Sequence, residues 1–197
     1  MRGETIILAA GDFPGEGSEA MRLLSAAKRV VCCDGALDAY RRRFGKWPAA
    51  TVGDMDSASL RGGTVIQIAE QNTNDLEKAA RYCQARNWRA PVVLGATGKR
   101  EDHTLGNVFI SLRLNLEIVS DFGRFVPLEG RRSFLVEKDT GISIFAPDPA
   151  TRMTSKGLRW PLDGVVFDRL CAATLNRSSA RRVTLESTRR VMVYFAF

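Results

Sequence analysis

The sequence predicts an α/β fold: a mostly parallel, Rossmann-like sheet with helices on both faces, followed by a small all-β sandwich. Three observations lead there. Over residues 1–120 short apolar runs alternate with helical patterns, as repeated βα units do. Beyond residue 121 no long helical period appears, and short strand-like segments are separated by turn signals. At 197 residues the chain holds one domain of ordinary size and a smaller one, and its 45% apolar fraction suits a packed core. Two domains are expected, residues 1–120 and 121–197.

In order, Thr5–Ala10 is a short apolar run, followed by a Gly/Asp/Pro loop over 11–17 and an amphipathic segment from Ser18 to Lys28. Arg29–Cys33 is a strand ending at Asp34, and Ala36–Phe44 reads as a helix closed by Gly45. Ala50-Thr51-Val52 is a short apolar step, and Thr64–Ala69 a further strand. Asn74-Asp75 signals the start of a helix to Arg86. Pro91–Leu94 is a strand running into Gly95-Ala96-Thr97-Gly98-Lys99-Arg100, His103–Leu114 is helical, and Leu116–Ser120 is a last parallel strand. The second domain should contain strands at Arg132–Val136, Gly141–Ala146, Val165–Phe167, Arg181–Glu186 and Val191–Phe197. The last is apolar on both faces and should be buried on both.

Composition excludes several classes. No apolar run reaches the roughly 18 residues of a membrane span. The start, Met1-Arg2-Gly3-Glu4, leads straight into a strand and lacks a signal-peptide layout. Cys32 and Cys33 are adjacent, while Cys83 and Cys171 stand alone, which predicts reduced thiols and a cytoplasmic protein. The net charge of +7 is spread unevenly: residues 1–120 carry 16 basic and 14 acidic side chains, residues 121–197 carry 13 and 8. The surplus is scattered in pairs such as Arg131-Arg132, Arg181-Arg182 and Arg189-Arg190. That pattern marks a solvated face or a site for a small anion rather than a nucleic-acid groove.

Gly53-Asp54-Met55-Asp56-Ser57 is the stretch around which the chemistry gathers. Were it extended, Asp54 and Asp56 would face one point in space. Two carboxylates about 4 Å apart repel by about 4 kcal/mol at an effective dielectric of about 20, which a hard divalent cation would offset. Asp34, Asp54 and Asp56 each follow a strand directly, and Asp75 and Asp102 open helices after strands. In open α/β sheets ligands bind beyond the carboxyl ends of the strands, so five carboxylates are expected on one edge. N-capping explains any one of them alone; together, with Lys78, Lys99 and Arg100 on the same edge, they predict a metal–phosphate site.

Other chemistries drop out. Gly98-Lys99 is followed by Arg100, so no Walker loop is present, and residues 11–17 do not spell G-x-G-x-x-G. The sole histidine, His103, excludes a multi-imidazole zinc site, and no serine stands in a nucleophile elbow. His103 is then an orienting, phosphate-contacting or packed residue.

These residues resemble the thiamine pyrophosphokinase family, whose pattern runs D-G-G, G-D-x-D-S, Q-x-x-T-D-x-x-K, G-x-x-G-x-R-x-D-H and a late G-L-x-[WY]-x-L. Here they read Asp34-Gly35-Ala36, Gly53-Asp54-Met55-Asp56-Ser57, Gln71 to Lys78, Gly95 to His103, and Gly157-Leu158-Arg159-Trp160-Pro161-Leu162. The departures are Ala36 for Gly, Asn74 for Thr, and Thr174-Leu175-Asn176 where Ser-Asn is usual.

The resemblance implies transfer of pyrophosphate from ATP to the hydroxyl of thiamine, releasing AMP, with Mg2+ as cofactor. It implies Asp54, Asp56 and Asp75 on magnesium, with Asp34 and Asp102 close by and Arg100 assisting. Lys78, Gly98, Lys99, Arg100 and His103 would meet ATP, and Gln71, Ser155, Trp160 and Asn176 would meet thiamine. The indole of Trp160 would cover the cationic thiazolium, worth about 0.5–2 kcal/mol; a packed core position is the other reading of Trp160. The family acts as a homodimer with thiamine between the α/β domain of one subunit and the sandwich of the other. The alternatives are a pyrophosphokinase for an uncharged pterin alcohol and a basic nucleic-acid module, the latter leaving the five carboxylates unexplained.

Overall fold

Short strands rich in Ile, Val and Cys form the parallel part of the protein, and all but the one at Val65–Gln67 are buried along most of their length. The structure is a computed structural model in which residues 3–56, 59, 62–70 and 72–197 are described. Gln71, and Ser57 beside the aspartate pair, lie outside the described residues. The chain divides into two compact units, residues 1–121 and 122–197.

The first unit runs β1 (Thr5–Leu8), α1 (Glu19–Ala26), β2 (Arg29–Cys33), α2 (Leu37–Phe44), β3 (Ala50–Gly53), β4 (Val65–Gln67), α3 (Asp75–Ala85), β5 (Val92–Leu94), α4 (Glu101–Leu114) and β6 (Glu117–Val119). Every strand pair in it is parallel, in the order β6-β5-β1-β2-β3-β4. β1 and β3 show no exposed position, the mark of strands covered on both sides. Ser18 caps α1 by accepting the Met21 amide at 3.0 Å. Asp34–Ala36 forms a 3-10 turn that leads directly into α2. Ile6, Leu8, Val30, Cys32, Val92 and Leu94 pack with Leu24 and Tyr40 into one core. All four cysteines are free thiols, and Cys171 alone is exposed. Among the described residues no helix is long and apolar enough to cross a membrane.

The second unit is antiparallel throughout: β7 (Gly123–Leu135), β8 (Gly141–Phe145), β9 (Met153–Lys156), β10 (Ala173–Arg177) and β11 (Arg182–Ala196). Three expectations change here. The segments at 181–186 and 191–197 are one strand, β11, kept continuous across a register shift between Ser187 and Val191. Its first half pairs with β9 and its second half with β8, while β7 follows it along both. Val165–Phe167 is not a strand. Two of its residues enter the core from an irregular segment instead, Phe167 wholly buried and Val165 packed against it, while Val166 is exposed. β9 and β10 escaped notice because Thr, Ser, Lys and Asn dilute their apolar alternation.

Val191, Met192, Val193 and Phe195 are buried, but Tyr194 and Ala196 are half-buried and Phe197 is exposed, so the expected two-sided burial holds only over the first part of the segment. Many of the surplus arginines stand in ion pairs, among them Arg190–Glu129 at 3.2 Å and Arg181–Glu137 at 3.3 Å.

Candidate active site

The carboxylates meet because of strand register. Cys33 of β2 pairs with Val52 of β3, so the next residues, Asp34 and Gly53, leave the sheet side by side. A Cβ at Gly53 would lie 2.5 Å from Asp34 Cβ and 3.0 Å from Asp75 Oδ2. Glycine is therefore what lets two acidic side chains close over the strand end.

Beyond Gly53 the chain turns rather than continuing extended. Met55 has φ 68°, and the Asp56 amide donates to Asp54 Oδ1 at 3.4 Å. The aspartate pair converges through this left-handed turn, not through the alternation of a strand. A left-handed non-glycine residue costs on the order of 1–2 kcal/mol, offset here by burial of the Met55 side chain against Leu37. Ligand oxygens of Asp34, Asp54 and Asp56 lie within 4.8 Å of one another.

Asp75 stands at the first residue of α3. Asn74 caps that helix by accepting the Glu77 amide at 3.0 Å, so the departure from Thr keeps the capping role. Burial raises the Asp75 pKa; Lys78 lowers it, and the charges of Asp54 and Asp34 raise it again. Lys78 is itself buried, with Nζ 3.4 Å from Oδ1 of the half-buried Asp75. Asn107, which sequence reasoning passed over, is buried on α4. It donates to the Ala96 carbonyl at 2.9 Å and lies 3.5 Å from Asn74 Nδ2. Its one sequence signal is its position one turn beyond His103 in a segment read as helical.

The loop after β1 and the loop after β5 are laced together. Ala9, Gly11 and Asp12 donate backbone bonds to the carbonyls of Leu94, Gly95 and Thr97 at 2.7–2.8 Å. Lys99, itself at φ 56°, donates through Nζ to the Ala10 carbonyl at 2.8 Å. Gly98, at φ 81°, has no room for a side chain, because a Cβ there would run into the Asp12 carboxylate.

Arg100 and Asp102 form a two-point pair, Nη2–Oδ2 at 2.6 Å and Nε–Oδ1 at 3.1 Å. The Arg100 hydrogen bonds hold Asp102 down at a pKa of about 2. Between these elements lies a cleft of ≈ 400 Å³ lined by Asp54, Asp75, Lys78, Lys99, Arg100 and His103, with Gly98 in its wall. Among the described residues the carboxylate trio is Asp34, Asp54 and Asp56; Asp75 borders it, and Asp102 faces Arg100 instead.

In the second unit Trp160 is 53% exposed, so it is not a core residue. Asn176, buried, accepts the Trp160 amide at 3.3 Å and donates to the Trp160 carbonyl at 2.6 Å. Ser155 Oγ accepts the Leu162 amide at 2.9 Å. Leu175, the departure, sits at φ 63° beside a bulge in β10 and is 85% exposed.

The family profile for the thiamin pyrophosphokinase catalytic domain matches residues 20–119, and that for the thiamin pyrophosphokinase substrate-binding domain matches residues 123–194. The chain belongs to the thiamin pyrophosphokinase family.

Solved structures of thiamin pyrophosphokinases share the fold. The one from Geobacillus thermodenitrificans superposes with a TM-score of 0.79 at 20% identity, covering 98% of this chain and 97% of the other. Those from Candida albicans and Bacillus subtilis give TM-scores of 0.74 and 0.69 at 14% and 16% identity, covering 98% of this chain in each case and 89% and 98% of theirs. No curated protein sequence gives a significant match. The family is one of enzymes, and its substrates are thiamin and ATP.

The donor set fits a hard divalent cation. Three carboxylates crowded within 4.8 Å offer hard oxygen ligands, which suit Mg2+.

Proposed function

We propose that this chain transfers the pyrophosphoryl group of ATP to the hydroxyl of thiamine in an Mg2+-dependent reaction giving thiamine pyrophosphate and AMP. The observation that carries the reading is the gathering of Asp34, Asp54 and Asp56 beside a cleft that also holds Lys78, Lys99 and Arg100. Acidic and basic groups are both needed there, because phosphoryl transfer asks the protein for positioning and charge neutralisation.

Asp34, Asp54 and Asp56 would hold Mg2+, with Asp75 next to them. The bound ion supplies Lewis-acid neutralisation of phosphate oxygens. The amides of the loop at 95–98 and the N-terminus of α4 receive phosphate oxygens, assisted by Lys99, Arg100 and His103. Arg100 reaches phosphate by exchanging Asp102 for it, two acceptors of matching geometry. In the reaction the thiamine oxygen forms a bond to the β-phosphorus. The bond from that phosphorus to the oxygen bridging the α-phosphate breaks, its electron pair leaves with AMP, and the hydroxyl proton is released. Holding the hydroxyl in line accounts for roughly 7–11 kcal/mol of the barrier.

Thiamine is taken up by Trp160 in a homodimer, at a site shared between one subunit's α/β domain (residues 1–120) and the other's β domain (residues 121–197). The exposed indole supports this, with Asn176 holding the Trp160 backbone and Ser155 the Leu162 amide two residues on. Gln71 completes the set on the pyrimidine. We read the parallel sheet as Rossmann-like and the antiparallel unit as a sandwich bent at the β11 register shift. Four free thiols support a cytoplasmic location.

Product analysis with ATP, thiamine and Mg2+ tests the reading: AMP and thiamine pyrophosphate are expected, and ADP would overturn it. Replacing thiamine with a pterin alcohol distinguishes the related chemistry.

A further inference from the structure

We propose that α2 is the template that holds the carboxylate turn in shape, and that Asp38 is the positioning residue which ties the loop after Asp56 to it. The proposal rests on the metal reading above and concerns residues outside the cleft.

Four contacts run from one helical element to one loop. Asp34, in the turn that leads into α2, belongs to the carboxylate cluster with Asp54 and Asp56. Leu37, the first residue of α2, is packed against Met55 at the left-handed position. Asp38 Oδ2 accepts the Ser59 amide at 3.1 Å and the Ser59 hydroxyl as well. Beyond the helix the Trp47 indole lies against the backbone of Gly62 and Gly63, and the Arg41 guanidinium of α2 sits 4.2 Å from the ring centroid.

Asp34 and Asp38 are one helical turn apart, so the residue in the cluster and the residue that ties the loop share one rigid support. Without such a support three like charges would drive the Asp54–Asp56 turn open. A carboxylate accepting both the amide and the hydroxyl of one serine fixes that serine's backbone as well as its side chain. Asp38 therefore acts on the cluster through Ser59, in the way that groups behind metal ligands set ligand orientation.

The test is Mn2+ binding to the full chain, read by the EPR signal of the free ion, with and without a non-hydrolysable ATP analogue. Asp38→Ala should weaken Mn2+ binding by about 10-fold or more, and Ser59→Ala, which keeps the amide bond to Asp38, by less. The double variant should be no weaker than Asp38→Ala, since that change already removes both bonds to Ser59. The thiamine KM and the melting midpoint should stay put. Asp38→Asn keeps one acceptor oxygen and should fall between wild type and Asp38→Ala; with Ser59→Ala it carries the test if Asp38→Ala does not fold. Wild-type Mn2+ affinity in Asp38→Ala, or losses that simply add in the double variant, would overturn the tether alone. A wild-type chain that takes no Mn2+ would overturn the metal reading, and the tether with it.

Discussion

Asn176 grips Trp160 by both backbone polar groups, accepting its amide at 3.3 Å and donating to its carbonyl at 2.6 Å. A buried side chain is thus spent on fixing an exposed one. Asn176→Ala should release the Trp160 backbone and raise the thiamine KM while leaving the ATP KM unchanged. It should also lower stability by about 1–3 kcal/mol, the cost of stranding buried partners. Paired thermal melts and substrate titrations would show both effects.

Trp160→Ala should raise the thiamine requirement by up to about 30-fold, corresponding to roughly 2 kcal/mol of cation–π attraction. Trp160→Phe should do less harm, because its weaker ring still presents a π face. With the indole 53% exposed, stability should change by no more than about 0.5 kcal/mol. Unaltered thiamine affinity in a stable Ala variant would remove Trp160 from the site.

Asp54→Asn and Asp56→Asn should each abolish turnover and Mg2+ dependence. The metal-free protein should be as stable as wild type or slightly more so, because one of three crowded like charges is gone. Near-normal turnover at limiting Mg2+ in either variant would reduce the pair to a turn.

The Arg100–Asp102 pair gives a pH signature of definite sign. Hydrogen bonding from Arg100 lowers the Asp102 pKa from 3.8 to about 2 in the folded state. Its contribution to stability is therefore complete above pH 3.8 and is lost as the pH falls toward about 2. In Arg100→Gln the Asp102 carboxyl should titrate near its ordinary value. NMR of the side-chain carboxyl carbon would show the midpoint move up, and an unmoved midpoint would mean the pair does not persist in solution.

Much of the site was legible in the sequence because its residues fall at strand and helix ends that local patterns mark: Asp34 after β2, Asp54 after β3, Asp75 opening α3. What was not legible is what the register between strands creates. Asp34 read as a neighbour of the metal set, and only the pairing of Cys33 with Val52 brings it into the trio. The Asp54–Asp56 convergence was foreseen for the wrong local reason, since nothing in a five-residue window reveals that Met55 is pinned by Leu37. The two bonds of Asn176 to the Trp160 backbone were not legible, because the residues stand 16 positions apart in the chain. In the second unit the polar strands β9 and β10 were hidden by composition, whereas the apolar ends of β11 were plain.

β11 pairs with β7, β8 and β9, and its Val183, Leu185, Val191, Val193 and Phe195 all enter the same core. During synthesis it emerges from the ribosome after every strand it joins. Until then β7, β8 and β9 lack their common partner and leave open edges and an unfilled apolar face, the condition in which nascent chains associate wrongly. The parallel unit faces no such wait, since all its strands precede residue 121. Translation thus completes the parallel unit first, and chaperone dependence of this protein should be concentrated in the interval before the last strand of the β unit emerges.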